Sequence, residues 1–403
     1  MGSIAQNKKG LKVLFIGAAL QLVLGIIYVW SVFVTPVSQT YSWDLTAAKL
    51  TSSYMLCFFV VGILAGGRLQ TKIASAKVVL LGGLMLAAGT LASAFIPAAQ
   101  AWLIYLSYGI VGGFGVGAAY NAIISSAQKW FPANRGFATG ISVCAFGFST
   151  VIFAPLVEAL VARFEVRTTF MILAAAFLVV VLALFRFIQL PGEAASPGAP
   201  ASPGASAPTA PQKQRQFTIT EALKTKEFYF ITLSLMFGTA TYFILNPSFK
   251  TFAVERGLDP AIGTALVMMT GVANALGRLG IPLISDKIGR ERAALVAILA
   301  TAGGAAALCF AQGALFMVFI AVIAFCYGGY SGIYPVLTAD FFGIQNVGSN
   351  YGAVMAGFAL SALVFPMIFS RIENVTVKFI VLALLAVVAA LMVLRLAHGG
   401  KKA

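Results

Sequence analysis

Residues 78–128 read "VVLLGGLMLAAGTLASAFIPAAQAWLIYLSYGIVGGFGVGAAYNAIISSAQ" and contain no aspartate, glutamate, lysine or arginine. Residues 293–339 are uncharged in the same way. A helix needs about 20 apolar residues to cross the hydrocarbon core of a bilayer. Each stretch is therefore long enough for two membrane helices and a short turn, which we predict at 96–102 and at 311–314. Both stretches indicate an all-α membrane protein with many spans.

The composition of the whole chain leads to the same class. Of its 403 residues, 60% are hydrophobic and only 10% are charged, and the mean hydropathy is +0.95. A soluble domain has about 25% charged residues. So few charged side chains cannot cover a surface that faces water, and the main solvent of this chain must therefore be lipid.

Residues that soluble enzymes use for catalysis and metal binding are scarce. The single histidine, His398, lies in the tail, and the four cysteines lie in apolar segments without metal-ligand spacing. "GFGVGA" (113–118) matches the glycine pattern of a dinucleotide site, but an apolar span surrounds it. We interpret Gly109, Gly113 and Gly117 as small residues that let helices approach closely. We expect no enzymatic activity, no cofactor and no metal.

Apolar runs bounded by charges or by Pro and Gly predict twelve spans. In the first half they lie at 11–36, 47–67, 78–96, 101–128, 137–160 and 168–189. In the second half they lie at 227–250, 262–284, 293–311, 314–338, 350–370 and 376–397. The tract between them is rich in Pro, Ala, Ser and Gly, which is typical of a flexible linker. We predict an N-terminal six-helix bundle at 1–189, a linker at 190–220 and a C-terminal six-helix bundle at 221–403.

Basic residues indicate the orientation of the spans. Most of the lysines and arginines fall on one side of the predicted spans, at 8–12, 68–77, 129–135, 213–226 and 287–292. Cytoplasmic loops carry such an excess, so we expect both termini and the linker in the cytoplasm. The net charge of +15 is then mainly a signal of orientation, with some attraction to the anionic lipid bilayer. We expect no nucleic-acid partner.

The two halves repeat each other. "LQTKIAS" (69–75) follows the second span, and "ISDKIGR" (284–290) follows the eighth. Parallel repeats of six helices are typical of carriers that work by alternating access. Across nearly its whole length the chain resembles the major facilitator superfamily, whose loop motif is similar to "GRLGIPLISDKIGRER" (277–292). The copy in the first half departs from that motif, because Thr71 stands where an aspartate is usual.

Arg278 is the most informative charged residue. It precedes Asp286 by eight residues, which is about 12 Å along a helix at 1.5 Å per residue, and so lies inside the eighth span. Charge at mid-bilayer costs about 2.5–3.5 kcal/mol on insertion scales and usually faces a cavity or a partner. The alternative is an arginine that stretches back to the membrane interface. We favour a ligand, since a guanidinium can hold a carboxylate through two parallel hydrogen bonds.

Polar groups in the predicted spans are further candidates for the site. Tyr28 lies in the first span, Tyr120 and Asn121 in the fourth, and Tyr330 in the tenth. A buried tyrosine hydroxyl needs a hydrogen-bond partner or water. Tryptophan often lies at membrane interfaces, and we expect Trp30 to be such an anchor. The alternative for any one of these tyrosines is core packing with a satisfied hydroxyl.

A narrower resemblance appears in four motifs. They are "GIIYVWSVF" (25–33), "GVGAAYNAIISSAQKWFPANRGFATG" (115–140), "YGGYSGIYP" (327–335) and "NYG" (350–352). Together they resemble the oxalate:formate antiporter family. The resemblance implies that Arg278 is a carboxylate-binding arginine and that Tyr28 and Tyr120 belong to an aromatic cage around the substrate.

Phe358 departs from that family. The dicarboxylate exchanger has a lysine eight residues after the Asn of N-Y-G, and the same count from Asn350 reaches Phe358. One deep cation suits one carboxylate, because a second charge left unpaired in a low dielectric costs several kcal/mol. Phe358 suits an aliphatic or keto tail. This predicts a small monocarboxylate such as lactate or pyruvate and extends the resemblance to the monocarboxylate transporters.

Asn274 is the second departure. Animal monocarboxylate transporters carry Asp-x-x-x-Arg in the eighth span, and here the match is Asn274-x-x-x-Arg278. Positions i and i+4 share a helix face, so Asn274 can orient the guanidinium or donate to the substrate. It cannot carry a proton, but proton symport can still occur with the carboxylate of the substrate as the titrating group.

These features together predict a secondary transporter of small monocarboxylates in the cell membrane. We expect proton-coupled symport by alternating access in a protein that functions as a monomer. An oxalate:formate-type exchanger is the main alternative. An anion channel and a non-transporting membrane sensor are further alternatives, of which the sensor requires a sizeable soluble domain.

Overall fold

The computed structural model describes residues 7–191, 215–245, 260–369 and 371–399. Most of the predicted linker, the end of the seventh predicted span and the loop that follows it lie outside these ranges.

Twelve long helices and no β-strand occur within the described ranges. They are α1 (Lys8–Thr40), α2 (Leu45–Leu69), α3 (Ser75–Ala94), α4 (Tyr105–Trp130), α5 (135–164), α6 (166–184), α7 (Lys226–Leu245), α8 (Pro260–Ile288), α9 (Arg290–Ala307), α10 (Gly313–Phe342), α11 (Val347–Phe369) and α12 (Val375–Gly399). The predicted all-α fold with twelve helices is confirmed.

Nine helices among the described residues are long and apolar enough to cross a membrane, with Arg135–Phe187 counted as one. That run contains α5 and α6, which meet at Glu165, where φ is +61° and ψ is 173°. A positive φ is uncommon for a residue with a side chain, and it breaks the helix within the predicted gap at 161–167. The other two long helices, α8 and α9, meet at the charged sequence 286–292.

Two spans contain irregular turns that the sequence pattern did not predict. In α1 a 3₁₀ segment, Gly25–Val29, joins two α-helical parts, and it carries Tyr28. In α4 a π-helical segment, Tyr105–Gly112, precedes the α-helix that carries Tyr120. Such departures from α geometry often occur near functional residues.

Contacts divide the chain into two compact units. The first unit contains the described residues up to Ala133, those from Ala145 to Gln216, and the segment Ile344–Gly352. The second contains Asn134–Cys144 together with the described residues of Phe217–Gly343 and from Ala353 onward.

Glycines allow α2 and α4 to pack closely in the first unit. A Cβ atom on Gly113 would overlap the carbonyl oxygen of Met55, and one on Gly117 would overlap that of Phe59. Only a residue without a side chain permits backbones to approach this closely. The close helix packing predicted for these glycines is confirmed.

Glycines also allow α8 and α10 to pack closely in the second unit. A Cβ atom on Gly277 would overlap the carbonyl oxygen of Phe325, and one on Gly328 would overlap that of Asn274. The core of this unit is apolar and comes mainly from α7, α9, α10 and α12, with Leu245, Leu308, Phe316, Ile320, Phe379 and Leu382 among its members.

Two of the four tryptophans, Trp30 and Trp130, have structural roles in the first unit. The indole Nε1 of Trp130 donates to the carbonyl of Gln189 at 2.6 Å, and the Trp130 carbonyl accepts from the Asn7 amide at 3.0 Å. Trp130 therefore ties the start of α1 and the end of α4 to the chain after α6. Trp30 is only 1% exposed and donates to the carbonyl of Ala48 at 2.9 Å. Its expected role as an interfacial anchor is wrong, because the ring lies inside the unit.

Candidate functional site

Arg278 lies on α8 with only 3% of its surface exposed. Its Nε donates to Oδ1 of Asn274, one turn earlier on the same helix, at 2.9 Å. The geometry matches the expectation that Asn274 orients the guanidinium. At this exposure the side chain does not lie on the protein surface.

Packing on two sides holds the helical turn from Asn274 to Arg278. On one side, Gly328 of α10 lies against the backbone of Asn274. On the other, the Cys144 thiol of α5 donates to the carbonyl of Ala275 at 3.4 Å. A Cβ atom on Gly140 would lie 3.2 Å from the carbonyl oxygen of Leu279. The backbone that carries Arg278 is therefore held by contacts from both α5 and α10.

Aromatic rings surround Phe358 on α11. Phe243 of α7 meets it edge to face, with ring centroids 5.0 Å apart and planes at 76°. Tyr327 of α10 lies 6.4 Å away with its plane at 27°, and Tyr242 stacks on Tyr327 at 3.8 Å. We call Tyr242, Phe243, Tyr327 and Phe358 the aromatic cluster of the second unit. Phe358 therefore packs among aromatic rings, and its predicted contact with the tail of the substrate stays a prediction.

Tyr330 has a different environment from Tyr327. Its hydroxyl lies 2.6 Å from Oγ1 of Thr301 and donates to the carbonyl of Ala297 at 3.2 Å, both on α9. The buried hydroxyl therefore has the partners that its depth in the span requires. Tyr327, about one turn earlier, is the tyrosine of α10 that contacts Phe358. The substrate-binding role predicted for Tyr330 stays a prediction.

Tyr28 and Tyr120 both contact Phe146 in the first unit. The centroid of Phe146 is 5.5 Å from that of Tyr28 and 4.8 Å from that of Tyr120, with edge-to-face geometry in both pairs. Phe59 of α2 meets Tyr120 at 5.2 Å. The structure thus brings the two predicted cage tyrosines together through a phenylalanine that the sequence analysis did not single out.

Asn121 is completely buried in the first unit. Its Nδ2 donates to the carbonyl of Ile63 at 2.7 Å and to that of Gly348 at 2.8 Å. Both amide N–H bonds are therefore used on backbone atoms, of α2 and of the first turn of α11. The contacts of Asn121 join backbone segments, and the predicted contact with substrate stays untested.

Asp286 organises charged residues at the end of α8. Its carboxylate accepts hydrogen bonds from the backbone N–H groups of Gly136 at 3.1 Å and Phe137 at 2.9 Å. These donors begin α5 and have no partner within their own helix. Arg290 pairs with the same carboxylate at 2.5 Å. The acidic residue of the loop motif thus caps α5 and binds an arginine.

Asp340 extends this network on α10. It pairs with Arg135 at 2.6 Å and with Arg290 at 3.1 Å. The spacing of these residues in the sequence gave no sign of the pairing, because the contact joins positions more than 200 residues apart. Arg135, Arg290, Asp286 and Asp340 form what we call the charged network of the second unit.

The Major Facilitator Superfamily model matches residues 14–366 of this chain. The chain belongs to the Major Facilitator Superfamily. An MFS-type transporter of Escherichia coli (strain K12) is 25% identical over 349 residues, which are 85% of this chain and 83% of the relative. The oxalate:formate antiporter of Oxalobacter formigenes is 23% identical over 85% of this chain and 79% of its own length. Monocarboxylate transporter 12 of Rattus norvegicus is 22% identical over 86% and 76%.

Solved structures show the same fold for this facilitator. The Escherichia coli fucose:proton symporter superposes with a TM-score of 0.71 at 14% identity, covering 94% of this chain and 97% of that one. Family and fold are those of transporters, which are not enzymes and which handle small-molecule substrates within the membrane. This facilitator is therefore a multi-pass membrane transporter.

Proposed function

We propose that this facilitator carries small monocarboxylates, of the lactate and pyruvate type, across the cell membrane together with a proton. Arg278 binds the carboxylate, and Asn274 orients the guanidinium. The observation that supports the proposal most is the 2.9 Å bond from a nearly buried arginine to a neutral amide. An amide holds the plane of the guanidinium without supplying negative charge. The planar fork of N–H groups in arginine matches the two oxygens of a carboxylate.

The aromatic cluster supports a substrate with one charge. Phe358 is 7% exposed and lies among rings. A second carboxylate near these rings would lose its hydration without gaining a cation, which costs several kcal/mol. An aliphatic or keto tail suffers no such loss. This favours a monocarboxylate over oxalate, although both an oxalate:formate antiporter and monocarboxylate transporters are among the relatives.

The carboxylate of the substrate is our candidate for the proton-coupled group. Asn274 does not titrate, and the nearby acidic residues Asp286 and Asp340 are engaged with arginines. An empty carrier retains the arginine charge, and a bound acid offsets it. We further propose that the predicted bundles, 1–189 and 221–403, alternate around the substrate in a monomer with cytoplasmic termini. Tyr28, Tyr120, Asn121 and Tyr330 remain predicted contributors to the polar part of the site.

The test is uptake by purified protein in proteoliposomes. Arg278→Ala should weaken lactate binding at least about 30-fold, because removing one partner of a charge pair costs about 2–5 kcal/mol. Arg163→Ala is the matched control, since this exposed arginine lies just before the break between α5 and α6. Uptake that survives Arg278→Ala at the wild-type rate would refute the role of Arg278.

The two alternatives give different results in the same vesicles. An oxalate:formate-type exchanger requires a carboxylate on the opposite side and accelerates oxalate counterflow. A channel gives uptake that does not saturate and no counterflow. Saturable lactate uptake driven by an inward proton gradient is the expected result.

A further inference from the structure

The aromatic cluster of the second unit begins next to the residues that hold Arg278. Tyr327 immediately precedes Gly328, and a Cβ atom on Gly328 would lie 2.8 Å from Oδ1 of Asn274. This oxygen is the one that accepts the hydrogen bond from Arg278. The cluster and the contact with Asn274 are therefore carried by adjacent residues of α10.

Three members of the cluster pack against one another or against the core of the unit. Tyr327 is 5% exposed, and its ring lies flat on Tyr242, with centroids 3.8 Å apart and planes at 9°. Tyr242 in turn packs against the apolar core of the unit. Phe358 packs against both Tyr327 and Phe243. Movement of the Tyr327 ring would therefore require the core behind it to shift.

Phe243 of α7 is the remaining member of the cluster, and its side chain is half-buried. Its ring contacts Phe358 at 5.0 Å and Tyr327 at 5.7 Å, edge to face in both cases. The Phe243 ring therefore lies directly against Phe358, the residue that the proposed function places beside the tail of the substrate.

We propose that Phe243 is a specificity-determining residue that limits the tail length of the substrate. This inference rests on the proposed function. The proposed function limits the charge of the substrate, and this inference adds a limit on its length. In this proposal the Phe243 ring restricts the space beside Phe358 to short tails such as those of lactate and pyruvate. Removal of the ring opens space that is lined by Phe358 and Tyr327, so straight-chain acids with longer apolar tails should then bind.

Phe243→Ala and Phe237→Ala form a matched pair. Phe237 is also half-buried on α7, but its ring lies against Phe365 at 6.0 Å, and it packs on the apolar core. Both variants lose one ring from the same helix. Only Phe243→Ala removes a ring that contacts Phe358.

The experiment measures how straight-chain monocarboxylates of increasing length compete with labelled lactate for uptake by proteoliposomes. One methylene in a fitted apolar pocket is worth about 10- to 200-fold in discrimination. We expect Phe243→Ala to improve competition by longer acids at least about tenfold relative to lactate, and Phe237→Ala to leave the order unchanged. Phe243→Leu, which removes less volume, serves if the alanine variant does not fold.

Three outcomes are distinct. A changed length profile in Phe243→Ala alone supports the proposal. An unchanged profile, or the same change in both variants, overturns it while wild-type lactate uptake leaves the proposed function intact. Absence of any monocarboxylate uptake by wild-type vesicles refutes the proposed function, and the role of Phe243 falls with it.

Discussion

The guanidinium Nε of Arg278 donates to the side-chain oxygen of Asn274 at 2.9 Å, and the two residues lie one turn apart on α8. An aspartate at position 274 would offer a similar oxygen and also a negative charge. The amide therefore keeps the geometry of the pair without adding a negative charge to it.

Asn274→Asp should weaken lactate uptake at neutral pH. The new carboxylate competes for the guanidinium, and opposite charges about 4 Å apart interact by about 4 kcal/mol at an effective dielectric constant of 20. Protonation removes that competition, so the ratio of variant to wild-type uptake should rise as the pH falls. Asn274→Ala, which adds no charge, should show a smaller loss and no such trend. A variant with wild-type uptake at every pH would contradict this account.

Phe358→Lys should shift preference toward dianions. The lysine places a second cation among the aromatic rings, where the second carboxylate of oxalate could pair with it. Oxalate should then compete with labelled lactate in the variant and not in the wild type. Phe358→Leu controls for loss of the ring, since it adds no charge. If oxalate competes equally poorly in both variants, the argument from charge to substrate class fails.

Asn121→Leu should lower the thermal stability of the protein. The change leaves the carbonyl groups of Ile63 and Gly348 without the amide that they share. Each hydrogen bond lost in this way costs about 0.5–1.5 kcal/mol. Asn121→Asp should be similarly harmful at neutral pH, because a carboxylate has no N–H to donate. A normal melting temperature with a raised KM would instead assign Asn121 to the substrate.

Much of the fold was predictable because lipid imposes a simple pattern. Uncharged runs marked the helices, and the gap at 161–167 contained the break at Glu165. The start of α5 was harder to assign. Residues Asn134–Cys144 belong to the second unit although their neighbours on both sides belong to the first. The backbone N–H groups of Gly136 and Phe137 bind Asp286, which lies about 150 residues later in the chain. No local sequence pattern predicts a contact of this kind.

Residues of the candidate site could be found from the sequence where they are charged or polar in an apolar span. Arg278 and Asn274 differ from their apolar neighbours, and their spacing placed them on one helix face. Phe146 and Phe243 gave no comparable signal, because a phenylalanine in an apolar span is typical of lipid-facing and core positions alike. The role of Asn121 was also ambiguous in the sequence, because a polar residue in a span can bind either a ligand or the backbone. In the structure its amide binds backbone carbonyls.

Gly328→Ala should disturb both stability and transport. The added methyl group would overlap the carbonyl oxygen of Asn274 and push α10 away from the turn that carries Arg278. Gly303→Ala on α9 is the control, since a Cβ atom there meets nothing within 4 Å. That variant should be neutral or more stable by up to about 1 kcal/mol, because alanine favours helices. Melting temperatures and lactate uptake of the two variants test the contrast, and equal behaviour would refute the close approach at Gly328.

The charged network of the second unit has a net charge of zero when all four residues are ionised. Arg135 and Arg290 supply two positive charges, and Asp286 and Asp340 supply two negative ones. If these four residues move together during transport, no net charge crosses the electric field of the membrane, which acts with about 2.3 kcal/mol per elementary charge at 100 mV. Voltage dependence of the transport current would then report on the substrate, the proton and Arg278 rather than on this network.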